Sequence, residues 1–159
     1  MARVKGKDTA PEMTVRRALW AAGLRYRLHD KRLPGKPDIV FASRRIVVFV
    51  HGCFWHGHEG CPRHRIPKNR VEWWTAKIHR NIERDTEALA AVAAEGWHAL
   101  VIWECETEYL SKIASLARDI RSARIVAIGA ASATSKSIHS RRSKSIKRAV
   151  MTGSLLQEG

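Results

Sequence analysis

The twelve residues from Val50 to Cys61, VHGCFWHGHEGC, combine side chains that rarely occur so close together in a chain. They include three histidines, two cysteines, three glycines and an adjacent phenylalanine and tryptophan. Glycine-rich sequence of this kind favours neither a helix nor a strand. Because thiolates and imidazoles are the ligands that zinc prefers in proteins, the segment predicts a metal-binding loop.

The predicted zinc site uses every cysteine of the chain. Its ligands are a Cys3His set, which is a closed tetrahedral arrangement for structural zinc: Cys53, His58, Cys61 and Cys105. His56 and His64 lie within similar reach along the chain, so the identity of the histidine ligand stays open. Three separately buried thiols are the alternative, since an odd number of cysteines without a secretion signal argues against a disulfide framework.

Three carboxylates from distant parts of the chain, Glu12, Asp38 and Asp85, are expected to converge near this loop. Asp38 begins a β-branched run, where aspartate is unfavourable, and Asp85 lies on the apolar face of a long helix. Carboxylates that meet in a basic protein suit a divalent cation beside a phosphate ester. The simpler alternatives are that Asp38 caps the preceding turn and that Asp85 forms a buried salt bridge, with Arg80 or an N-terminal arginine.

Two histidines and two aromatic residues of the loop carry further chemistry. His51 and His56 flank the loop beside the expected magnesium site, and histidine transfers protons near neutral pH. Both are therefore candidate catalytic residues. Phe54 and Trp55 either cover the zinc or insert between base pairs, and the basic composition of the chain favours insertion.

The overall composition favours a polyanionic partner. Among 159 residues, 29 are lysine or arginine and 15 are aspartate or glutamate, which gives a net charge of +14 and predicts nucleic-acid binding. No apolar run reaches the roughly 18 residues of a membrane span, and no signal peptide is recognised, so a cytoplasmic location is expected. Residues 129–159 are rich in serine and basic residues and are predicted to be a disordered tail, which leaves residues 1–128 as the folded domain.

The elements that must position these residues alternate between helix and strand. They are a helix from the Thr9 cap to about Ala22, strands at 24–29, 38–42 and 46–50, a helix at 71–95, a strand at 97–103 and a helix at about 108–122. The short polar spacer between the second and third strands indicates an antiparallel hairpin, and the long helix before the fourth indicates a parallel pair. The apolar run WHALVIW predicts a strand buried on both faces. The fold class is therefore α/β, with a mixed central sheet flanked by helices.

Four motifs in order, PGKPDIVF, VHGCFWHGHEGC, WWTAKIHRNIERD and VIWEC, resemble the very short patch repair (Vsr) endonuclease family. The resemblance covers about Lys7 to Glu106. It implies a restriction-endonuclease-like core of the PD-(D/E)XK type and an enzyme that nicks duplex DNA 5′ of the thymine in a T:G mismatch. Such mismatches arise when 5-methylcytosine deaminates, which implies association with a DNA cytosine methyltransferase and a repair polymerase. A monomer at the prokaryotic nucleoid is expected.

The same resemblance implies roles for individual residues. Asp38 and the backbone carbonyl of Val50 correspond to magnesium ligands, with two ions expected, and His56 corresponds to the general acid or base. The supporting catalytic residues are Glu12, His51 and Asp85. The structural zinc ligands are Cys53, His58, Cys61 and Cys105. The residues that approach DNA are the intercalating Phe54 and Trp55 and, near the mismatched bases, Lys77 and Asn81.

Three features depart from the family pattern. Only eleven residues precede Glu12, so the N-terminal segment that reaches the minor groove is expected to be shortened, or the chain start incomplete. The tail beyond about Ile128 is foreign to the family, and Gly60 adds one residue to the zinc loop. A zinc-stabilised DNA-binding module without catalysis is the alternative function. A nucleobase deaminase is disfavoured, because the chain lacks the His-x-Glu and Pro-Cys-x-x-Cys pair.

Overall fold

The computed structural model describes residues 7–123, so the predicted domain boundary at residue 128 and the predicted disordered tail lie outside the described residues. The helices are α1 (Ala10–Ala21), α2 (Val71–Ala94) and α3 (Leu110–Ser122), and the strands are β1 (Arg27–Leu28), β2 (Ile39–Phe41), β3 (Ile46–His51) and β4 (His98–Trp103). No helix within these residues is long and apolar enough to cross a membrane.

The four strands form one mixed sheet in the order β1-β2-β3-β4. β2 and β3 pair as the predicted antiparallel hairpin, with Val40 opposite Val47. β3 and β4 are parallel, with Val50 opposite Ile102, and α2 connects them. The predicted α/β class, the hairpin and the parallel crossover pair are confirmed.

Alternating residues of β3 divide the core between two faces of the sheet. Ile46 and Val48 pack in a cluster with residues of α1 and α3, including Leu19 and Ile120. Val47 and Phe49 pack in a second cluster, which includes Val92 of α2. This alternation follows from the two-residue period of a strand, and it places α1 and α3 on one face of the sheet and α2 on the other.

Two predicted strands differ from the structure. The strand expected at 24–29 pairs with β2 over only two residues, because the Leu24 N–H is bonded to the Leu19 carbonyl at the end of α1 and His29 turns the chain with a φ of 48°. The expectation that β4 is buried on both faces is confirmed only in part. Leu100 and Ile102 pack in one cluster and Ala99 and Val101 pack against the other, but only Ile102 is fully buried and His98 is exposed. Within residues 7–123, β4 is an edge strand, which leaves its side chains partly accessible.

The start of the last helix also differs from the sequence prediction. Residues Glu104–Glu108 form a 3-10 turn, and α3 begins at Leu110 rather than near Glu108. The Glu106 carboxylate accepts the N–H of Trp103 (3.1 Å), which fixes the turn directly after β4. The turn matters for the site because it carries Cys105.

The turn before Asp38 packs against α2 through Gly35. Its φ is +68°, and an added Cβ would lie 2.6 Å from the Cβ of Ala88. We expect Gly35→Ala to lower the free energy of unfolding by about 2–4 kcal/mol, through backbone strain and overpacking, in urea titrations. Gly23 has a similar φ of +78° but no neighbour among the described atoms within 4 Å, so Gly23→Ala should cost only about 1 kcal/mol. Equal losses would contradict the packing argument.

Candidate active site

Three cysteines and one histidine gather where β3 and β4 end. Their ligand atoms, from Cys53, His58, Cys61 and Cys105, all lie within 4.8 Å of one another. The Cys105 N–H points to the Cys53 sulfur at 3.4 Å, and the Cys105 sulfur lies 3.5 Å from Nδ1 of His58. Because β3 and β4 are parallel, the residues that follow them meet at the same edge of the sheet.

The position of the His58 ring distinguishes it from the two other histidines considered for this cluster. The ring stacks on Trp103 with centroids 4.1 Å apart and planes 4° from parallel. His56 turns instead toward Asp85, and His64 is not among the four convergent residues. The geometry therefore favours His58 as the fourth member.

The thiols of this cluster fit a bound metal ion. Burial raises the pKa of Cys53 to about 12 and also raises the pKa of Cys105, whereas the backbone N–H of Arg63 lowers the pKa of Cys61. A bound cation would offset the burial cost of two thiolates, since a metal-coordinating thiol is deprotonated. Zinc–sulfur bonds of roughly 2.3 Å are compatible with ligand atoms this close together. The donor set thus suits zinc.

A second cluster lies beside the first and contains His51, His56 and Asp85. Nδ1 of His56 lies 2.5 Å from Oδ2 of Asp85, and the two imidazole rings stack with centroids 4.1 Å apart. The alternative that Asp85 pairs with Arg80 or an N-terminal arginine is not observed among the described residues. Asp85 instead orients a histidine, because its carboxylate fixes the ring by a bond to one of its two nitrogens.

The electrostatics of His51 predict acid sensitivity. Its burial and, secondly, the neighbouring His56 lower the pKa of His51 to about 4, against 6.5 for an unperturbed histidine. The unfolded chain therefore binds a proton that the native state excludes between pH 6.5 and 4. We expect the free energy of unfolding to fall with decreasing pH across this range, by up to about 1.4 kcal/mol per pH unit from this group. Urea titrations of wild type and His51→Gln should show a shallower slope in the variant; identical slopes would contradict the assignment.

Asp38 is a half-buried residue whose carboxylate joins the start of β2 to β3. Its Oδ2 accepts the N–H of Val50 (2.8 Å), so it bridges to the neighbouring strand rather than capping the preceding turn. Burial raises the pKa of Asp38, and the Glu12 carboxylate adds to this rise, while the Val50 N–H, His29 and His56 oppose it. Within residues 7–123 no lysine or arginine forms an ion pair with Asp38. A cation at this carboxylate would offset the burial of its charge.

Glu12 lies near Asp38 but not in the His51–His56–Asp85 cluster. It is 2% exposed, and its carboxylate accepts the N–H of Asp8 (2.8 Å) and contacts Arg16 (3.3 Å) and Nε2 of His29 (3.2 Å). Thr9 caps α1 as predicted, since its hydroxyl accepts the N–H of Glu12. The Glu12 carboxylate in turn accepts the N–H of Asp8 and not that of Thr9. Glu12 and Asp85 thus belong to two separate groups of side chains, and Asp38 lies close enough to both for Glu12 and His56 to act on its pKa.

The aromatic pair of the loop packs on α2. Phe54 and Trp55 are half-buried, and their ring centroids lie 5.4 and 6.0 Å from that of Trp74. Asn81 is 8% exposed and donates its amide to the Trp55 carbonyl (2.9 Å), while Arg84 donates to its side-chain oxygen. Lys77 lines a shallow surface groove on α2 that also includes Asn81 and Arg84.

Comparison with known proteins identifies the family. The profile described as DNA mismatch endonuclease Vsr matches residues 1–63. Type II nicking enzyme V.XorIIP of Xanthomonas oryzae pv. oryzae is 52% identical over 120 residues, which span 76% of this chain and 88% of that enzyme. The chain belongs to the Vsr family. DNA mismatch endonuclease Vsr of Escherichia coli is 41% identical over 105 residues, which span 66% of this chain and 67% of that enzyme. Type II nicking enzyme V.NmeAIP of Neisseria meningitidis is 45% identical over 106 residues, which span 67% of this chain and 75% of that enzyme.

The resemblance to the Vsr family inferred from the four motifs is confirmed, and the chain is a DNA endonuclease. A DNA-binding module without catalysis is correspondingly disfavoured. Sequence reasoning did not predict the contacts of two further residues near the site. His29 contacts Glu12, and its position at the end of the alternating run LRYRLH, residues 24–29, gave no sign of this partner. Trp74 packs on Phe54 and Trp55, a contact that the motif WWTAKIHRNIERD did not indicate; the adjacent pair Trp73-Trp74 was the available signal.

Proposed function

We propose that this Vsr-family endonuclease nicks one strand of duplex DNA 5′ of the thymine in a T:G mismatch, by magnesium-dependent hydrolysis. Relatives named as a mismatch endonuclease and as nicking enzymes support the proposal. The observation that carries it is the His56–Asp85 pair, 2.5 Å apart, near the half-buried Asp38. A functional association with a DNA cytosine methyltransferase and a repair polymerase follows from the origin of T:G mismatches. One monomer at the nucleoid suffices for a single nick.

Asp38 and the backbone carbonyl of Val50 are the proposed magnesium ligands, and two ions are proposed at this site. The Val50 N–H already holds one oxygen of Asp38, which fixes the carboxylate against β3. When bound, magnesium supplies positive charge to the phosphate oxygens and favours the ionisation of water. Glu12 lies close enough to act on the pKa of Asp38, and its own contacts with Arg16 and His29 hold it in place.

His56 is the proposed general acid or base, and Asp85 is its positioning residue. If Asp85 accepts a hydrogen bond from Nδ1–H of His56, the lone pair of Nε2 is available to take a proton from the attacking water. The His56 side chain is 29% exposed, so the ring remains accessible from solvent. His51 stays neutral at pH 7 because its pKa is lowered to about 4, and its stacked ring limits the rotation of His56.

Mismatch recognition is assigned to the neighbouring residues. We propose that Phe54 and Trp55 insert between base pairs, supported by Trp74, and that Lys77 and Asn81 approach the mismatched bases. The amide of Asn81 is already bonded to Trp55 and Arg84, so any base contact requires it to exchange one of these bonds. Zinc on Cys53, His58, Cys61 and Cys105 would hold the loop in one shape.

The remaining assignments concern architecture. A mixed sheet with helices on both faces and an aspartate at the start of β2 supports a restriction-endonuclease-like PD-(D/E)XK core. We propose that residues 1–128 form the endonuclease domain and that the basic residues of 129–159 form a tail that makes nonspecific phosphate contacts.

A nicking assay on matched oligonucleotides tests the function. Duplexes that differ only in one T:G, T:A or C:G pair should be incubated with magnesium or with EDTA, over a panel of flanking sequences. We expect magnesium-dependent cleavage of the thymine strand alone, on its 5′ side, in the T:G duplex. Equal cleavage of the T:A duplex would overturn the mismatch assignment, and cleavage in EDTA would overturn the metal assignment.

The His56–Asp85 pair should behave as one unit. We expect His56→Ala to lower the nicking rate by about 10²–10⁴-fold, because a positioned general acid or base contributes this much. Asp85→Asn should cause a smaller loss, and the double variant should be no slower than His56→Ala alone, since residues that act together are not additive. Single-turnover rates give the comparison. The exposed pair His79 and Glu83, 3.2 Å apart on α2, is the matched control, and its variants should nick at the wild-type rate. If the rate loss of the double variant equals the product of the losses of His56→Ala and Asp85→Asn, the two residues do not act as one unit.

A further inference from the structure

A continuous row of aromatic rings extends beyond the proposed intercalating pair, and its outermost ring is the most exposed. Trp74 contacts Phe54 and Trp55, and Trp73 meets Trp74 edge-to-face with centroids 4.7 Å apart. Trp73 is 44% exposed, whereas the three inner rings are half-buried. The row therefore ends in an aromatic surface that the protein itself does not cover within the described residues.

The chain that leads to Trp73 is strongly basic. Residues 62–71 contain four lysines or arginines and no carboxylate. Arg63 forms an ion pair with Glu108 (2.6 Å), but the other three cations, Arg65, Lys68 and Arg70, are exposed and have no ion pair among residues 7–123.

Arg70 connects this charge to the aromatic row. Its guanidinium carbon lies 5.1 Å from the centroid of the Trp73 ring. Arg70 occupies the N-cap position of α2 with a left-handed backbone (φ 57°). Three cations that lead to one exposed ring match the chemistry of a nucleic acid, in which phosphates are adjacent to sugars and bases. An apolar protein partner would leave these three charges without counterions.

We infer that Arg65, Lys68, Arg70 and Trp73, the basic–aromatic strip, form a second DNA-contacting surface beside the proposed intercalating loop. The three cations neutralise phosphates of the duplex next to the mismatch, and Trp73 packs on a sugar or base of the same stretch of duplex. The strip rests on the proposed function in one respect, namely that Phe54 and Trp55 face DNA, because Trp74 places Trp73 next to them.

The salt dependence of binding tests the charged part of the strip. Dissociation constants for a T:G duplex should be measured by fluorescence anisotropy, without magnesium, between 50 and 200 mM NaCl. Each phosphate contact contributes about 0.9 to the slope of log K against log salt concentration, so the double variant Lys68→Gln/Arg70→Gln should lower its magnitude by about 1.8. Adding Arg65→Gln should lower it by about 0.9 more. The control double variant Lys112→Gln/Arg118→Gln, on α3 at the opposite face of the sheet, should leave it unchanged.

The aromatic part of the strip has a different signature. We expect Trp73→Ala to weaken binding by roughly 5- to 100-fold with an unchanged salt slope, since stacking involves no counterion release. Trp73→Phe should restore most of the affinity. Trp20, which is 52% exposed on α1, provides the control Trp20→Ala. Wild-type affinity in Trp73→Ala, or an equal change in both double variants, would overturn the strip.

These measurements separate the strip from the proposed function. If the slope falls as expected but wild type nicks T:G and T:A duplexes equally, the strip stands and mismatch specificity does not. If wild type nicks only the T:G duplex but the slope is unchanged, the mismatch function stands and the strip does not.

Discussion

Asp38→Asn should lower the nicking rate by about 10³-fold or more and leave the protein folded. The aspartate is the one proposed magnesium ligand that contributes a negative charge, and metal-ion catalysis of this kind supplies several kcal/mol to the transition state. At about 1.4 kcal/mol per factor of ten, that loss corresponds to three orders of magnitude. Asparagine keeps the shape of the side chain and can still accept the N–H of Val50.

The stability of this variant distinguishes a functional aspartate from a structural one. Because burial and the nearby Glu12 raise the pKa of Asp38, carrying its negative charge at pH 7 costs the metal-free native state more free energy than it costs the unfolded chain. Removing the charge should therefore leave the free energy of unfolding at pH 7 unchanged or raise it. Magnesium should raise the melting temperature of wild type through ligand linkage, and this rise should disappear in Asp38→Asn.

The control for this experiment is Asp119→Asn, at an exposed position on α3. It should nick as fast as wild type and retain the magnesium-dependent rise in melting temperature. A folded Asp38→Asn protein with more than a tenth of the wild-type rate would exclude Asp38 as the metal ligand. Loss of folded structure in Asp38→Asn would contradict the charge argument, since it would show that the carboxylate stabilises the native state.

Local sequence patterns were sufficient for the elements that carry the site. The β-branched runs on either side of Ser43–Arg45 predicted the hairpin, and the crossover through α2 predicted that β3 and β4 end together. From that topology it followed that Cys105 would meet the VHGCFWHGHEGC loop. The four convergent ligand atoms fulfil this expectation of proximity, which depends on spacing and strand direction alone.

Partners of individual side chains were harder to predict, because they depend on contacts between distant segments. The amphipathic pattern of α2 showed that Asp85 faces inward but not that its partner is His56, 29 residues away. The Thr9 cap predicted the start of α1 but not the partners of the Glu12 carboxylate, which is shared among Asp8, Arg16 and His29. The apolar composition of β4 predicted full burial, but it did not show that β4 lies at the edge of the sheet, where its side chains stay partly accessible.

Cys53→Ser should remove zinc from the protein and cause the largest loss of stability among the proposed variants. Structural zinc contributes about 10–16 kcal/mol to binding in small zinc-folded peptides at pH 7, and a loop of three glycines between Val50 and Cys61 has little other reason to hold one shape. The sheet core provides independent stability here, so we expect a loss of about 3–5 kcal/mol, or a fall in melting temperature of roughly 10–20 °C. Elemental analysis should give one zinc per wild-type chain and less than a tenth of that in the variant.

Two histidine variants test which imidazole completes the set. His58→Gln should lose zinc as Cys53→Ser does, because Nδ1 of His58 lies 3.5 Å from the Cys105 sulfur. His64→Gln should keep one zinc per chain and melt within a few degrees of wild type. Zinc retention in His58→Gln together with its loss in His64→Gln would reverse the assignment.

Loss of zinc should also abolish nicking at temperatures where the core remains folded, because the proposed zinc ligands lie on both sides of the proposed catalytic histidine. His56 lies between Cys53 and His58, and we expect its ring to reach Asp85 only when both ends of this six-residue span are fixed. The hydrophobic clusters on the two faces of the sheet do not include this span. Far-ultraviolet circular dichroism of Cys53→Ser should therefore remain close to wild type at 10 °C while nicking falls by at least the factor expected for His56→Ala. Nicking at the wild-type rate by a zinc-free protein would show that the loop keeps its shape without the metal. It would overturn the assignment of the Cys3His set as a structural zinc site.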